Sequence, residues 1–202
     1  MVETNPKEQI KKLRKKSEVG RSAHGLLFKK YQSASNILHG LTLISASIVA
    51  ILTFADYNDF LVLLKDLSSD MYDLSVGLTA SFVFLLTVFE EFLNLNKKAA
   101  SHESAVKQLT TFIRLADTAE KKEKVSQEDV DKLTTQYTLI NENSPLIPDK
   151  TFLRSKQKLK RKKYLSETLD SEPFVPLFIV NIFYIIKKSI NYLFEKNANK
   201  KN

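Results

Sequence analysis

The chain has no cysteine. Disulfides, thiol catalysis and thiolate zinc sites are excluded together. Glycine and proline are scarce, four and five among 202 residues, too few for a turn-rich β protein. No Gly-rich phosphate loop, nucleophile elbow or H-E-x-x-H helix is present. No catalytic residue, metal site or cofactor is therefore expected, and an enzyme reading has nothing to rest on. The first long apolar run begins only at Ile37, behind a polar, charged stretch. A cleaved secretory signal has a short charged region, so a signal peptide cut near the A-x-A-like residues 46–50 is set aside.

What the chain has is helix-forming Lys, Leu, Ala and Glu, with apolar residues gathered into 37–54, 74–89 and 174–186. Mean hydropathy is mildly negative, so the chain is not apolar from end to end. The net charge of +8 admits two partners, nucleic acid or an anionic membrane surface.

The first run, ILHGLTLISASIVAILTF, carries no Lys, Arg, Asp or Glu. With residues 34–36 it reaches about the 20 residues a helix needs to cross the hydrocarbon core. The second, LSVGLTASFVFLLTVF, is also uncharged, with Tyr72 placed as an interfacial ring before it. Both are uncharged all round rather than on one stripe, which argues against core helices of a soluble domain. Flanking charge is segregated by sign. Lys7, Lys11, Lys12, Arg14, Lys15, Lys16, Arg21, Lys29 and Lys30 precede the first run, and Lys97, Lys98 and Lys107 follow the second. Between them lie Asp56, Asp59, Asp66, Asp70 and Asp73, with Lys65 the one base. Basic flanks stay inside. The expected fold class is an all-α membrane protein, a two-helix transmembrane hairpin with a cytoplasmic helical bundle, multi-pass in the inner (cell) membrane with both termini cytoplasmic. Its parts are a cytoplasmic helix over 1–33, spans over 34–55 and 74–95, an outside loop over 56–73, a cytoplasmic helical region over 96–165, and a C-terminal apolar helix over 173–195. The loop's FLVLL run, 60–64, is placed to dip into the outer interface.

Polar residues recur along each span: Ser35, His39, Thr42 and Ser45 in the first, and Ser75, Thr79, Val83, Thr87 and Glu91 in the second. A row at three- and four-residue steps marks a helix face. It reads either as a pore-facing surface in a homo-oligomer or as packing through small hydroxylic residues, and packing is favoured. His39, Glu90 and Glu91 are ionisable groups at the membrane, which tend to be functional unless they snorkel to the headgroups.

Outside the spans, Ile10, Leu13, Ser17, Gly20, His24, Leu27 and Tyr31 form one seam. Leu95, Ala99, His102, Val106, Leu109, Ile113 and Ala116 form another. Such seams pack helix on helix. His24 and His102 then face each other, as a metal or proton site or, preferably, as satisfied interface histidines, since no carboxylate stands at ligand spacing. Ser126 and Asp129 announce a capped helix with Val130, Leu133, Tyr137 and Ile140 on one stripe, ending at Asn143 before Pro145. Asp149 is expected to cap a last cytoplasmic helix with Phe152 and Leu159 inward. Lys156, Lys158, Lys160, Arg161, Lys162 and Lys163 are expected to point largely outward. These suit anionic headgroups or a plain solvated face better than nucleic acid, since Tyr164 is the one aromatic among them. Residues 174–194 have an apolar core of only about 13 residues, short of a normal span, and a third crossing would put Lys196, Lys200 and Lys201 outside. An interfacial helix is preferred to a third span.

The order of parts resembles the SLATT family of two-transmembrane effector domains over about residues 10–165. The likeness is carried by RSAHGLLFKKY before the first span, a second span ending in Glu90 and Glu91, AASHESAVKQL on the following helix, and YTLINENSPLIPDKTF before the basic helix. The resemblance implies a bacterial antiphage effector that permeabilises the inner membrane, causing growth arrest or cell death. It implies a trigger from a cyclic-oligonucleotide signal or a sensor protein encoded nearby. It brings no catalytic residues. The alternative is a non-conducting scaffold that recruits a cytoplasmic partner through the seams.

Overall fold

The structure, a computed structural model, describes residues 5–54 and 68–198, without the side chains of 188, 189 and 191–198. The expected outside loop, FLVLL included, lies outside the described residues up to position 67. Those described form helices and connections, with no strand among them. The helices are α1 (Pro6–Phe54), α2 (Ser69–Leu93), α3 (Leu95–Glu120), α4 (Gln127–Glu142), α5 (Asp149–Ser171) and α6 (Leu177–Ala198).

Helix α1 starts where Asn5 turns its side chain onto the Lys7 N–H at 3.0 Å, and Pro6 takes the first helical position, where no N–H is needed. No proline or cap interrupts it afterwards. Within the described residues, the polar and apolar segments expected at 1–33 and 34–55 are therefore one helix, Pro6–Phe54. Ser68 caps α2 by accepting from the Met71 N–H at 3.3 Å. Asn94 ends α2 in the left-handed region, at φ 49°, the one positive-φ residue other than glycine among those described. Asparagine tolerates this conformation better than most residues. Ser126 and Asp129 form the reciprocal capping box at the head of α4. Asp149 is not the cap of α5. Pro148 holds that position without a side-chain bond, and Asp149 is the first helical residue, where its charge meets the positive end of the helix dipole.

The chain divides into two compact units, 1–23 with 108–202, and 24–107. In the first, Ile10, Leu109, Phe112, Ala116, Ala119, Val130, Leu133 and Ile140 make the core, with Leu13, Val125 and Tyr137 packed against it. Each large side chain of this kind stabilises by about 1.5–3 kcal/mol when fully buried. Ser155 of α5 donates to the Val19 carbonyl of α1 at 3.0 Å and is fully buried. The second unit is a helix pair. Its contacts run in opposite order along the two paired segments, Leu52 with Tyr72, Thr42 with Glu90, and Ser35 with Asn96. The pairing is therefore antiparallel.

By length and composition, two helical stretches are apolar enough to cross a membrane, in α1 and in α2. None of the most apolar window of either is buried within the protein. A shorter apolar helix covers Leu177–Lys187.

Candidate functional site

The 24–107 unit holds the polar contacts. On α1, Tyr31, Ser35, Leu38, Thr42, Ser45, Val49 and Leu52 are buried or half-buried, and on α2 Tyr72, Ser75, Val76, Thr79, Val83, Leu86 and Glu90. Both sets advance in alternating steps of three and four, the pitch of a paired helix seam, with Ser75 standing beside the Val76 position on α2. The row 75, 79, 83, 87, 91 advances in fours, which turn about 40° per step around a helix of 3.6 residues per turn. It therefore divides: Ser75, Thr79 and Val83 are half-buried, whereas Thr87 and Glu91 are exposed. The hydroxyls close on their own helix. Ser75 donates to the Tyr72 carbonyl and Thr79 to the Ser75 carbonyl, both at 2.7 Å, and Thr87 donates to the Val83 carbonyl at 2.9 Å.

Glu90, one residue from the end of the expected row, takes the cross-helix contacts. His39 Nδ1 donates to Glu90 Oε1 at 3.2 Å, and Thr42 Oγ1 lies 3.4 Å from Glu90 Oε2. Ser35, almost fully buried, donates to Asn96 Oδ1 at 2.9 Å. Beside them a cavity of about 360 Å³ is lined by Ser35, Thr87, Glu90, Glu91, Asn94, Leu95 and Asn96. The signal for Glu90 was its heptad step from Leu86 and Val83. Asn96 had none.

Farther along α1 and α3, His24 and His102 meet Nδ1 to Nδ1 at 2.9 Å, both nearly inaccessible. One ring must carry its hydrogen on Nδ1 and the other must not. The Tyr31 ring stacks on His102, 5.6 Å between centroids and 6° from parallel. Burial, aided by the neighbouring His102, lowers the His24 pKa to about 4, and burial lowers that of His102. The pair is neutral at physiological pH. Among the described residues no group of three His, Asp or Glu side chains could hold a metal ion. Leu27 is buried and Val106 half-buried in the same unit.

In the other unit, Leu109 is buried beside Gly20, where a β-carbon would stand 3.5 Å from Leu109 Cδ1. Arg14 gathers three acids, with Glu120 at 2.9 Å, Glu18 at 3.4 Å and Asp117 at 3.8 Å. Its Nε and the Glu120 Oε2 are shut off from solvent against each other. Nothing in the charge pattern of α1 singled Arg14 out from its basic neighbours. Of the basic residues of α5, Lys156, Lys158, Lys160, Lys162 and Lys163 are exposed. Arg161 is not: it is half-buried and its Nε donates to Asn181 Oδ1 of α6.

No protein-family model, curated protein or solved structure matches this chain.

Proposed function

We infer that the chain is a membrane effector whose α1 and α2 cross the cell membrane as a hairpin, with both termini in the cytoplasm. Copies assemble on a trigger and permeabilise the bilayer, which stops growth or kills the cell. The observation that carries the membrane reading is the bareness of the two apolar windows, neither of which is buried at all. A core helix of a soluble protein buries its apolar side. The basic flanks and acidic connection supply the orientation, and Glu90 with His39 and Thr42 leaves few unmet polar groups between the helices. The layout shared with SLATT-family effectors supplies the direction toward antiphage defence, with a cyclic-oligonucleotide signal or a neighbouring sensor protein as trigger. No enzymatic step is part of this reading.

The test has two arms. In this cysteine-free chain, Ser69→Cys should react with an impermeant thiol reagent from outside and Ser101→Cys only after the membrane is opened. The reverse pattern sinks the topology. Induced expression with the trigger should collapse the membrane potential and arrest growth, and an unchanged potential sinks permeabilisation.

One observation favours the scaffold reading. Ser75 and Thr79 lie on the half-buried side of α2 that faces α1, whereas Thr87 and Glu91 are exposed. A conducting assembly would therefore draw its polar lining from Thr87 and Glu91. A non-conducting scaffold would keep the potential intact and retain a cytoplasmic partner on the membrane.

A further inference from the structure

Helices α5 and α6 place bare positive charge next to a bare apolar face. Of the exposed α5 lysines Lys156, Lys158, Lys160, Lys162 and Lys163, the last has a described ion pair, at 3.7 Å to Glu167, and the others have none among the described residues. On α6, Phe178, Ile182, Phe183, Ile185 and Ile186 are each at least half exposed, while Val180 is buried. By helical spacing, 178, 182 and 185 lie opposite 180 and 184. The 180 and 184 side is the one turned to α5, since the Tyr164 and Tyr184 rings sit 4.9 Å apart. Arg161, the inward member of the basic run, binds Asn181 and fastens the two helices together.

Three occupants fit an exposed apolar face: a second protein surface, the bilayer midplane, or the bilayer's inner interface. A second copy would bring the same unneutralised lysines and repel. A third span would carry Asn181, with the Arg161 that holds it, into the hydrocarbon and draw the α5 lysines after it, where charge is not tolerated. The inner leaflet offers acyl chains and anionic headgroups in one surface, which matches apolar α6 beside basic α5. We propose that α5 and α6 are a bilayer-docking hairpin: the outer face of α6 lies in the headgroup–acyl boundary of the inner leaflet, and the α5 lysines lie on anionic phospholipid headgroups. The proposal rests on the two spans being in a bilayer, and not on permeabilisation.

The chain has no tryptophan, so Phe178→Trp creates a single fluorophore. The full chain carrying it is reconstituted into nanodiscs of phosphatidylcholine alone or mixed with phosphatidylglycerol, with brominated acyl chains. Bromines near the glycerol backbone should quench Trp emission strongly in the anionic discs and weakly in the zwitterionic ones. The combined variant Lys156→Gln, Lys158→Gln, Lys160→Gln and Lys162→Gln should bring anionic-disc quenching down to the zwitterionic level. Strongest quenching by midplane bromines, unchanged by the lysine variants, would establish a third span and overturn the proposal. Absence of quenching in every disc would overturn it in favour of a protein partner. Phe82→Trp, on the exposed face of α2, separates this failure from that of the spans. It should be quenched in all discs, and its failure would reject the membrane reading itself.

Discussion

Acidification below neutrality should weaken the helix pairing around His24 and His102. Burial holds the His24 pKa near 4 in the folded chain, against 6.5 for an ordinary histidine. Between these values the unfolded chain binds the proton and the folded chain does not. Stability is therefore complete above pH 6.5 and is lost as pH falls toward about 4. The displacement is worth roughly 3 kcal/mol at one site, and His102, shifted in the same direction, adds to it. Geometry supplies the reason. The first proton still leaves one Nδ1 to accept, whereas the second sets two N–H groups against each other at 2.9 Å, under the Tyr31 ring. Asp117 and Asp129 do not confuse the measurement. Hydrogen bonds from Lys121 and Lys122 respectively hold them below 3.8, Asp129 at about 2, so their contributions are lost only at still lower pH. The assay is thermal unfolding of the solubilised chain by circular dichroism across this window. The midpoint should fall by several degrees in the parent and stay nearly level in the double variant His24→Phe, His102→Phe. An equal fall in both would refute the reasoning.

Other perturbations test other parts. Phe112→Ala empties the middle of a core where that ring is fully buried, and should cost about 3–5 kcal/mol in chemical unfolding; a cost near zero would show that the cluster is not a core. Gly20→Ala should stabilise by about 0.4–1 kcal/mol, because the new methyl meets Leu109 at an ordinary 3.5 Å; destabilisation would mean that α1 and α3 lie closer there. In ion-flux measurements at equal membrane abundance, Thr87→Leu and Glu91→Gln should each reduce the flux, the second also reducing cation preference. Thr79→Leu should instead disturb the hairpin, and identical flux losses at 79 and 87 would argue against the divided row.

The helices were legible because each is announced locally. Ser126 and Asp129 advertise a capping box, and the uncharged runs ending at Phe54 and Phe89 advertise long apolar helices. Features that depend on rotation or on a distant partner carry no local signal. Steps of four suggest one face over residues 75–91, but four such steps wind far enough around α2 to turn Ser75 inward and Glu91 outward. Phe112 is fully buried while its neighbour Ile113, assigned to the seam, is only half-buried. That choice depends on how α4 packs, which spacing along α3 does not encode. Arg161 looked like its lysine neighbours because Asn181 lies twenty residues away. Asn94 gives no notice of its positive φ, since Asn36, Asn96, Asn141 and Asn181 occupy ordinary helix.

That residue has a mechanical consequence. A helix carries torque along its ladder of hydrogen bonds, so a twist applied at one end emerges at the other. A left-handed residue is a swivel in that ladder. Asn94 closes α2 by donating back to the Glu90 carbonyl at 3.2 Å, and α3 begins immediately after it. Between α2 and α3 the backbone is thus articulated. The partner strand of the hairpin, α1, has no such joint between Pro6 and Phe54. One leg of the pair is continuous and the other is interrupted at Asn94. The interruption sits beside the cavity lined by Glu90 and Glu91.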